Sequence, residues 1–308
     1  MTVQRKSYTS GHFEMSIDGH KTTTYLTKVE GGWAKANTSD EQHGAGPLRV
    51  KQLANFEYEP IKIEFGASSG GEVFQWIQDS WKGSKFSTRN GEIVHADFNL
   101  DATYQHEFFN SLISEVTFPS LDGSSKEMGI IKCTIVPEGV LTTLKPGRKL
   151  QPDARPKQKM WTMSSFRLTL DQLDGLEYTN KIDSFTIKQG VKKHYVGAER
   201  FPQIVPTKIE FPTLSCTISL AYADKLLKWH NDYIAKGKVD PTAQLSGALE
   251  FLSPDRKQTI FRINLFEVGL ASAAIMPSTA NADQIKRVKF DLFVNRMEMD
   301  GPGALGVS

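Results

Sequence analysis

The sequence predicts a mainly β protein (β+α) with two tandem β-barrel or β-sandwich units, each carrying one packed amphipathic helix and one long insertion between strands. Apolar and polar residues alternate over short segments in most of the 308-residue chain, which is typical of half-buried strands. Apolar residues at helical spacing interrupt this alternation twice, in residues 72–83 and 224–237. Strands, insertion and helix follow in the same order in both halves, which predicts a duplicated unit.

Strands begin each predicted unit. In "HFEMSID", Phe13, Met15 and Ile17 share one face, and "IKIEFG" at residues 61–66 gives a second alternating strand. After the helix, "GEIVHADFNL", "QHEFFNSLISEVTF" and "MGIIKCTIVPEGV" again alternate, with the turn-rich "SLDGSSKE" between the last two. These segments predict a half-buried sheet in the first half of the chain.

The two predicted helices each have an apolar face that combines aromatic and aliphatic residues. The first helix is expected to end at Gly83, because glycine tolerates the conformation of a helix end. We expect each helix to close the core of its own unit, where one buried aromatic side chain contributes about 1.5–3 kcal/mol. The residues predicted to pack in the helix cores are Phe74, Trp76, Ile77, Trp81, Leu227, Trp229, Tyr233 and Ile234.

A constant offset relates the two predicted units. Phe166 lies 153 positions after Phe13, and the same offset aligns the two helices and carries Phe98 onto Phe251. A shared order over so many elements is harder to obtain by chance than the match of one strand. The offset therefore predicts that the chain arose by duplication of one unit.

The predicted domains are residues 1–140 and 160–300. The segment between them, residues 141–159, has three prolines and no apolar periodicity, which predicts an extended linker. Residues 301–308 are predicted to be a flexible tail. Each unit also contains a long insertion, at residues 28–56 and 181–208, of a length that is uncommon in compact domains unless it has a function. Their mixture of aromatic residues, prolines and charges favours docking on a partner.

Composition excludes several classes of function. A net charge of +2 with interspersed signs is too small for a nucleic-acid footprint or for attraction to an anionic membrane. The sequence shows neither a secretory signal nor an apolar segment of membrane-spanning length, which predicts synthesis in the cytoplasm and no membrane insertion. Cys133 and Cys216 lie within apparent strands, away from other metal-ligating residues, and are predicted to be small buried side chains in a reducing compartment.

Signatures of catalysis are absent from the sequence. It contains no GxSxG, Walker loop or HExxH motif. His95, Asp97 and His106 form the one group that would suit a metal site or a hydrolase, but no third ligand follows His95 and Asp97 at a usual spacing. We therefore predict that these three residues are solvated strand and turn positions. The sequence predicts no enzyme, no catalytic residue, no metal site and no cofactor.

Five segments of the first half resemble the tail-tube protein family of contractile phage tails and related injection systems. They are "FEMSIDG", "IKIEFG", "FQWIQDSWKG", "RNGEIV" and "CTIVPEGV", in that order. The second half lacks the "RNG" and "PEG" segments, so there the resemblance depends on the duplication. The resemblance implies a small β-barrel-like unit, six copies of which form a ring, and rings that stack into a hollow tube.

The duplication departs from the single unit of ordinary tube proteins and leaves two assemblies open. Six chains would form a double ring of the tube or of its baseplate end, which the sequence slightly favours. Three chains would form a pseudo-hexameric hub that joins a threefold spike to a sixfold tube. The alternatives from other classes are a two-domain β-sandwich binding module, and an unrecognised hydrolase that uses His95, Asp97 and His106 or a payload carried by the injection system.

The resemblance also implies the partners of the chain. These are further copies of itself in rings of six or three chains, neighbouring tube rings, sheath and baseplate or spike proteins, and DNA or protein cargo that passes through the lumen without specific binding. The particle would be a virion tail or an injection particle assembled from cytoplasmic chains. The insertions are expected to reach the adjoining subunit or ring, and the residues predicted for this interface are Trp33, Leu48, Val50, His194, Tyr195 and Phe201. Lumen-facing residues are not predicted.

Overall fold

The computed structural model confirms a mainly β fold. The structure describes residues 11–22, 24, 26–42, 49–66, 71–82, 87–151, 161–199, 201–237, 239, 244–277 and 285–301. Gly83 and Leu48, residues 152–159 of the predicted linker and all but one residue of the predicted tail lie outside these ranges.

The strands of the first half are short at the N terminus and long in the centre of the sheet. They are β1 (His12–Ile17), β2 (His20–Lys21), β3 (Leu26–Glu30), β4 (Ala34–Gln42), β5 (Arg49–Tyr58), β6 (Ile61–Gly66), β7 (Arg89–Ala96), β8 (Ala102–Phe118), β9 (Leu121–Asp122), β10 (Ile130–Val136) and β11 (Gly139–Leu144).

The strands of the second half follow a similar order. They are β12 (Phe166–Leu170), β13 (Thr179–Ile182), β14 (Phe185–His194), β15 (Gln203–Glu210), β16 (Leu214–Ser219), β17 (Leu245–Leu252), β18 (Thr259–Ile275) and β19 (Arg287–Asp300).

Two α-helices interrupt the strands of the described chain. The first, α1, spans Gly71–Trp81, and the second, α2, spans Asp224–His230 and continues into a π-helical turn at Asn231–Ala235. Short 3-10 turns occur at Leu176–Tyr178 and Leu220–Tyr222. Within the described ranges, neither α-helix is long and apolar enough to cross a membrane.

The strands form two large sheets and one separate ribbon. The first sheet has the order β2-β1-β7-β8-β10-β6-β3, and β8 also pairs with β11 and β14, while β15 pairs with β14. The second sheet has the order β12-β17-β18-β19-β16-β13-β9. Strands β4 and β5 pair with each other as a ribbon. All of these pairings are antiparallel.

The two halves show the same pattern of strand pairing. Strands β1-β7-β8-β10-β6-β3 correspond in order to β12-β17-β18-β19-β16-β13. Even the irregularities recur, since the register of β3 on β6 shifts between Leu26 and Lys28, and that of β13 on β16 shifts between Thr179 and Lys181. The offset of 153 residues therefore holds at the backbone from the first strand to the helix.

The predicted offset is wrong beyond the helices. Phe13 pairs with His95 in the first half, whereas Phe166 pairs with Phe251 in the second, so Phe251 is the counterpart of His95 and not of Phe98. Phe98 lies in the turn after β7 and is 68% exposed. Three additional residues between the helix and the next strand of the second half account for the change.

One hydrophobic core contains residues from both halves of the chain. Phe74 of α1 contacts Phe65 of its own half at a ring-centroid distance of 5.9 Å, and Phe261 of β18 at 5.2 Å. Trp161 also packs on Phe261, at 5.7 Å. Helix α1 therefore packs on its own half, as expected, and also on the sheet of the second half, which the sequence did not predict.

The predicted linker is partly structured. Its first residues, 141–144, belong to β11 and pair with β8, and Asp101 forms an isolated bridge with Lys149. Residues 152–160 lie outside the described ranges. Strand β13 pairs with β9 and β14 pairs with β8, so strands also pair across the predicted boundary.

The predicted helix-core residues divide between the two helices. Phe74, Trp76, Ile77 and Trp81 are buried in α1. In the second helix, Tyr233 is buried, Leu227 and Trp229 are partly buried against the core, and Ile234 is 40% exposed. The assignment of Ile234 to the core is wrong, because the π-helical turn changes which side chains face inward at this end of the helix. Leu226, which the pattern missed, is buried instead.

Candidate assembly surface

Both insertions form antiparallel hairpins with the same register. In the first hairpin Lys35 lies opposite Glu57, and in the second Lys188 lies opposite Glu210. Gly31 and Gly32 precede the first hairpin with φ angles of +85°, and a Cβ on Gly31 would lie 2.0 Å from the carbonyl oxygen of Pro60. The chain can turn sharply into the first hairpin only because these residues lack side chains.

The two hairpins contact each other through an ion pair and a hydrogen bond. Lys193 Nζ lies 2.6 Å from Glu57 Oε2, and Tyr195 Oη donates to Glu57 Oε1 at 2.7 Å. The hydrogen bonds from Lys193 and Tyr195 lower the pKa of the Glu57 carboxyl. The hydrogen bond that Tyr195 donates to Glu57 raises the pKa of the Tyr195 phenol. Both effects stabilise a charged Glu57 carboxylate at the contact.

Aromatic packing extends this contact, which we call the hairpin clasp (Phe56, Glu57, Tyr58, Lys193, Tyr195 and Phe201). The Phe201 ring stacks on Tyr58 at a centroid distance of 5.8 Å and meets Phe56 edge-on at 5.1 Å. Tyr58 and Phe201 also line an open cavity of about 380 Å³ whose other walls include Phe109 and Val140. The clasp fixes the insertion of each half against the other.

The predicted interface residues occupy different parts of these hairpins. Val50 and His194 are exposed on the hairpin strands, while Leu48 lies outside the described residues. Tyr195 and Phe201 remain about half exposed but belong to the clasp within one chain. Trp33 lies at the base of the first hairpin, where its ring meets His106 edge-on at 4.7 Å. Their role at an interface between chains remains a prediction.

The sequence patterns missed two exposed apolar features, one on the first hairpin and one at the end of β18. Leu53, on β5, is 78% exposed on the hairpin. The end of β18 carries exposed apolar residues, including Ile275 and Met276. A run of small and apolar residues without charge, "LASAAIMP", is the signal that marks this strand end in the sequence.

The two histidines that were predicted to be solvated are buried. His95 is 6% exposed and His106 is 1% exposed. The Tyr104 ring stacks on His95 at a centroid distance of 4.1 Å, and His106 Nδ1 lies 2.8 Å from Thr142 Oγ1 in a hydrogen bond. The prediction fails because β8 and β11 bring these aromatic and hydroxyl side chains over the histidines, which a local pattern does not report.

Burial sets the protonation of this cluster. Desolvation lowers the pKa of His95 to about 4, with repulsion from His106 as a smaller cause. Desolvation also lowers the pKa of His106. The Nε2 atoms of both rings are buried without a hydrogen-bond partner in the described structure. Both imidazoles are therefore neutral at pH 7.

Asp97 does not join these histidines. Its Oδ1 accepts hydrogen bonds from the backbone N–H groups of Asn99 and Asp101, at 2.9 Å and 3.1 Å, and so stabilises the turn between β7 and β8. In the part of the chain that the structure describes, no group of three or more His, Cys, Asp or Glu residues is placed to hold a metal ion. Cys133 and Cys216 are buried free thiols whose pKa is raised by desolvation.

Two of the segments that carry the family resemblance meet at one ion-pair network. Arg89 of "RNGEIV" contacts Asp18 of "FEMSIDG" and Asp79 of α1, each at 2.9 Å. Asn90 adds a backbone N–H bond to Asp18 Oδ1 at 3.1 Å. The network joins β1, α1 and β7, so these segments share a structural role in the first unit.

Residues 9–141 match the family model described as T4-like virus tail tube protein gp19. No curated protein matches the chain.

Several solved structures match about half of the chain. A chain of the extracellular contractile injection system PVC, in its sheath-tube complex, has 18% identity and a TM-score of 0.38, with 46% of this chain and 93% of that chain covered. The PVC sheath/tube terminator has 17% identity and a TM-score of 0.40, with 46% and 99% covered. Hcp1 from Flavobacterium johnsoniae has 12% identity and a TM-score of 0.30, with 46% and 100% covered.

The family match coincides with the segments "FEMSIDG" to "CTIVPEGV" and thereby confirms the resemblance inferred from them. Residues 9–141 are therefore similar to the tail-tube proteins of the T4-like family.

Proposed function

We propose that the chain is a structural, ring-forming component of the inner tail tube, or of its baseplate end, in a contractile phage tail or injection system. The observation that carries this proposal is the match of residues 9–141 to the tail-tube family. Tail-tube proteins are structural rather than enzymatic. In this role the chain lines a hollow conduit through which DNA or protein cargo passes without specific binding.

The second half supports a duplicated tube unit. Its strands repeat the pairing order of the first half, and the shift in register between β14 and β15, at Gln189 and Val191, repeats the shift between Ala36 and Thr38. The chain then contains two copies of one ring-forming unit, residues 1–140 and residues 160–300. The two copies meet through paired strands and a shared core.

The contact between the halves favours a ring of three chains, the hub alternative, over a double ring of six chains. Strand β14 extends the sheet of the first half along β8, and β9 extends the sheet of the second half along β13. Strand-edge pairing relates neighbours side by side in one layer, as in a closed ring, rather than one above the other. Three chains would then supply six units in a pseudo-hexameric hub.

The exposed hairpins are the proposed contacts with the rest of the particle. The first hairpin is exposed along residues 34–41 and 49–55, so both of its faces are available for an adjoining ring or a sheath, baseplate or spike protein. An isolated two-stranded ribbon is marginally stable in water, which favours its being covered in the assembled particle.

Electron microscopy combined with mass photometry of the purified chain tests the proposal. We expect hollow rings with three times the 34.4 kDa chain mass. Six-chain rings or tubes would favour the doubled tube subunit instead. Monomers at every concentration, also with added tube and sheath proteins, would contradict ring formation and favour the binding module.

A further inference from the structure

The C-terminal part of β8 shows how one unit receives the next. Residues 115–118 pair with residues 185–188 of β14, with Phe118 opposite Phe185 and Glu115 opposite Lys188. The Phe118 and Phe185 rings stack at 5.0 Å, and Lys188 Nζ lies 3.5 Å from Glu115 Oε1. This pairing is the joint between the two units within one chain.

The same edge exists in the second unit but is open. Ile113 pairs with Ile135, and Leu270 pairs with Leu292, so positions on β8 recur on β18 157 residues later. Residues 272–275 are therefore the counterpart of residues 115–118. They pair with β19 on one side, and no strand of the described chain pairs with their other side.

The backbone of this edge is directed outward. Met276 N donates to Arg287 O at 2.8 Å, so Met276 faces β19. Because successive residues of a strand point their N–H and C=O groups to opposite sides, the backbone groups of Ala273 and Ile275 face the open side. Ile275 is 54% exposed. An apolar edge of this kind is a template for another strand.

The counterpart of the incoming strand is also available. Residues 185–188 correspond, at the offset of 153, to residues 32–35 at the start of the first hairpin. Glu59 N donates to Trp33 O at 2.9 Å, so Trp33 faces β5 and the backbone of Ala34 faces away from it. Gly32 N donates to Glu59 O at 3.2 Å, so the available segment begins at Trp33, and no strand of the described chain pairs with residues 33–35 on that outer side.

Charge on the open edge matches the incoming strand. Ser272 takes the place of Glu115, and its hydroxyl donates to Asp291 Oδ2 at 2.7 Å. The Asp291 carboxylate therefore lies beside Ser272, the position that would face Lys35. In the joint within the chain, Glu115 faces Lys188 in the corresponding way. An added strand would place Lys35 near Asp291.

We propose that residues 33–35 of a second copy of this chain add to the open edge of β18 in antiparallel register. Lys35 then lies opposite Ser272, Ala34 opposite Ala273, and Trp33 opposite Ala274. This inference rests on the proposed ring-forming function and names the surface that joins one chain to the next. The joint between chains repeats the joint within the chain, so every unit in a closed ring receives its neighbour in the same way.

Cysteine cross-linking tests the register directly. In the chain with Lys35→Cys and Ser272→Cys, the two residues face each other across a non-hydrogen-bonded pair, where Cβ atoms are about 4.5–5.5 Å apart, near disulfide range. Both side chains are exposed, so the substitutions leave the core intact. The chain's own cysteines, Cys133 and Cys216, are buried and do not interfere.

Two variants serve as controls for this experiment. Glu115→Cys with Lys188→Cys makes the equivalent pair within the chain and should close as an intramolecular disulfide. Lys35→Cys with Ala274→Cys is displaced by two residues along the same face and should cross-link about tenfold less, because diagonal neighbours are about 7–8 Å apart.

We expect covalent dimers and trimers of the Lys35→Cys, Ser272→Cys chain on non-reducing gels after mild oxidation. If rings are seen by microscopy and the internal control closes, but this pair does not cross-link, the proposed edge is wrong while ring formation stands. If neither rings nor cross-linked chains form, the ring-forming function fails as well. Equal cross-linking of the displaced pair would also contradict the register.

Discussion

Replacing His95 by phenylalanine should remove a loss of stability in acid that only the first unit carries. His95 stacks on Tyr104 at 4.1 Å with 17° between the rings. Its counterpart Phe251 stacks on Phe261 at 4.0 Å with 10° between the rings. The second unit thus shows that phenylalanine can occupy this position, so His95→Phe keeps the stack and removes the titrating group.

The magnitude follows from the lowered pKa of His95. Its folded-state value of about 4 lies below the ordinary value of 6.5. The unfolded chain therefore takes up a proton at a higher pH than the folded chain, so stability is fully present above pH 6.5 and falls as the pH decreases towards 4. At 1.36 kcal/mol per pKa unit, the loss approaches about 3 kcal/mol, and most of it is complete at about pH 4.5.

Urea unfolding at about pH 7.5 and 4.5 measures this loss. The wild-type chain should lose about 2–3 kcal/mol more free energy of unfolding between these pH values than His95→Phe does. His194→Phe, on an exposed hairpin strand, is the control and should keep the wild-type difference. An equal loss in the wild-type and His95→Phe chains would refute the assignment of this pH dependence to His95.

Three further predictions concern the core and the hairpins. Phe261→Ala should lower the free energy of unfolding of both halves together by about 3–5 kcal/mol, since the halves share one core. Two calorimetric transitions, of which only one changes its midpoint temperature, would contradict this. Gly91→Ala should cost about 1–3 kcal/mol, because its Cβ would lie 2.3 Å from the Phe108 ring; an unchanged urea midpoint would show that the ring can move away. Phe201→Ala should speed amide exchange in residues 49–58 relative to β18, and equal protection in both chains would exclude a role of the clasp in holding the first hairpin.

Periodicity predicted the strands and helices because it reports which face of an element is buried. Phe13, Met15 and Ile17 alternate as expected, and the apolar face of α1 is buried. Periodicity does not report which sheet an element packs against. The contact of Phe74 with Phe261 and the pairing of β14 with β8 depend on chain segments far apart in sequence, so both escaped prediction.

The alignment of the two halves failed for a related reason. From β8 onwards the true offset is 157, four more than 153, and because a strand has a side-chain period of two, an even shift still superposes apolar positions. Phe98 and Phe251 are both aromatic and follow strand-like segments, yet one is exposed in a turn and the other is buried. Pairing partners, and not residue type, identify the true counterpart.

The differences between the units have a consequence for symmetry. The positions of His95, Tyr104 and His106 correspond to Phe251, Phe261 and Ile263, so the first unit has a polar cluster where the second has an apolar one. In a ring of three chains, units of the two kinds alternate. Backbone pairing then approaches sixfold symmetry while the side chains keep threefold symmetry. A sixfold partner can contact such a ring through features that both kinds of unit share. A threefold partner can contact it through features that only one kind of unit has. A junction between a tube and a spike requires both kinds of contact.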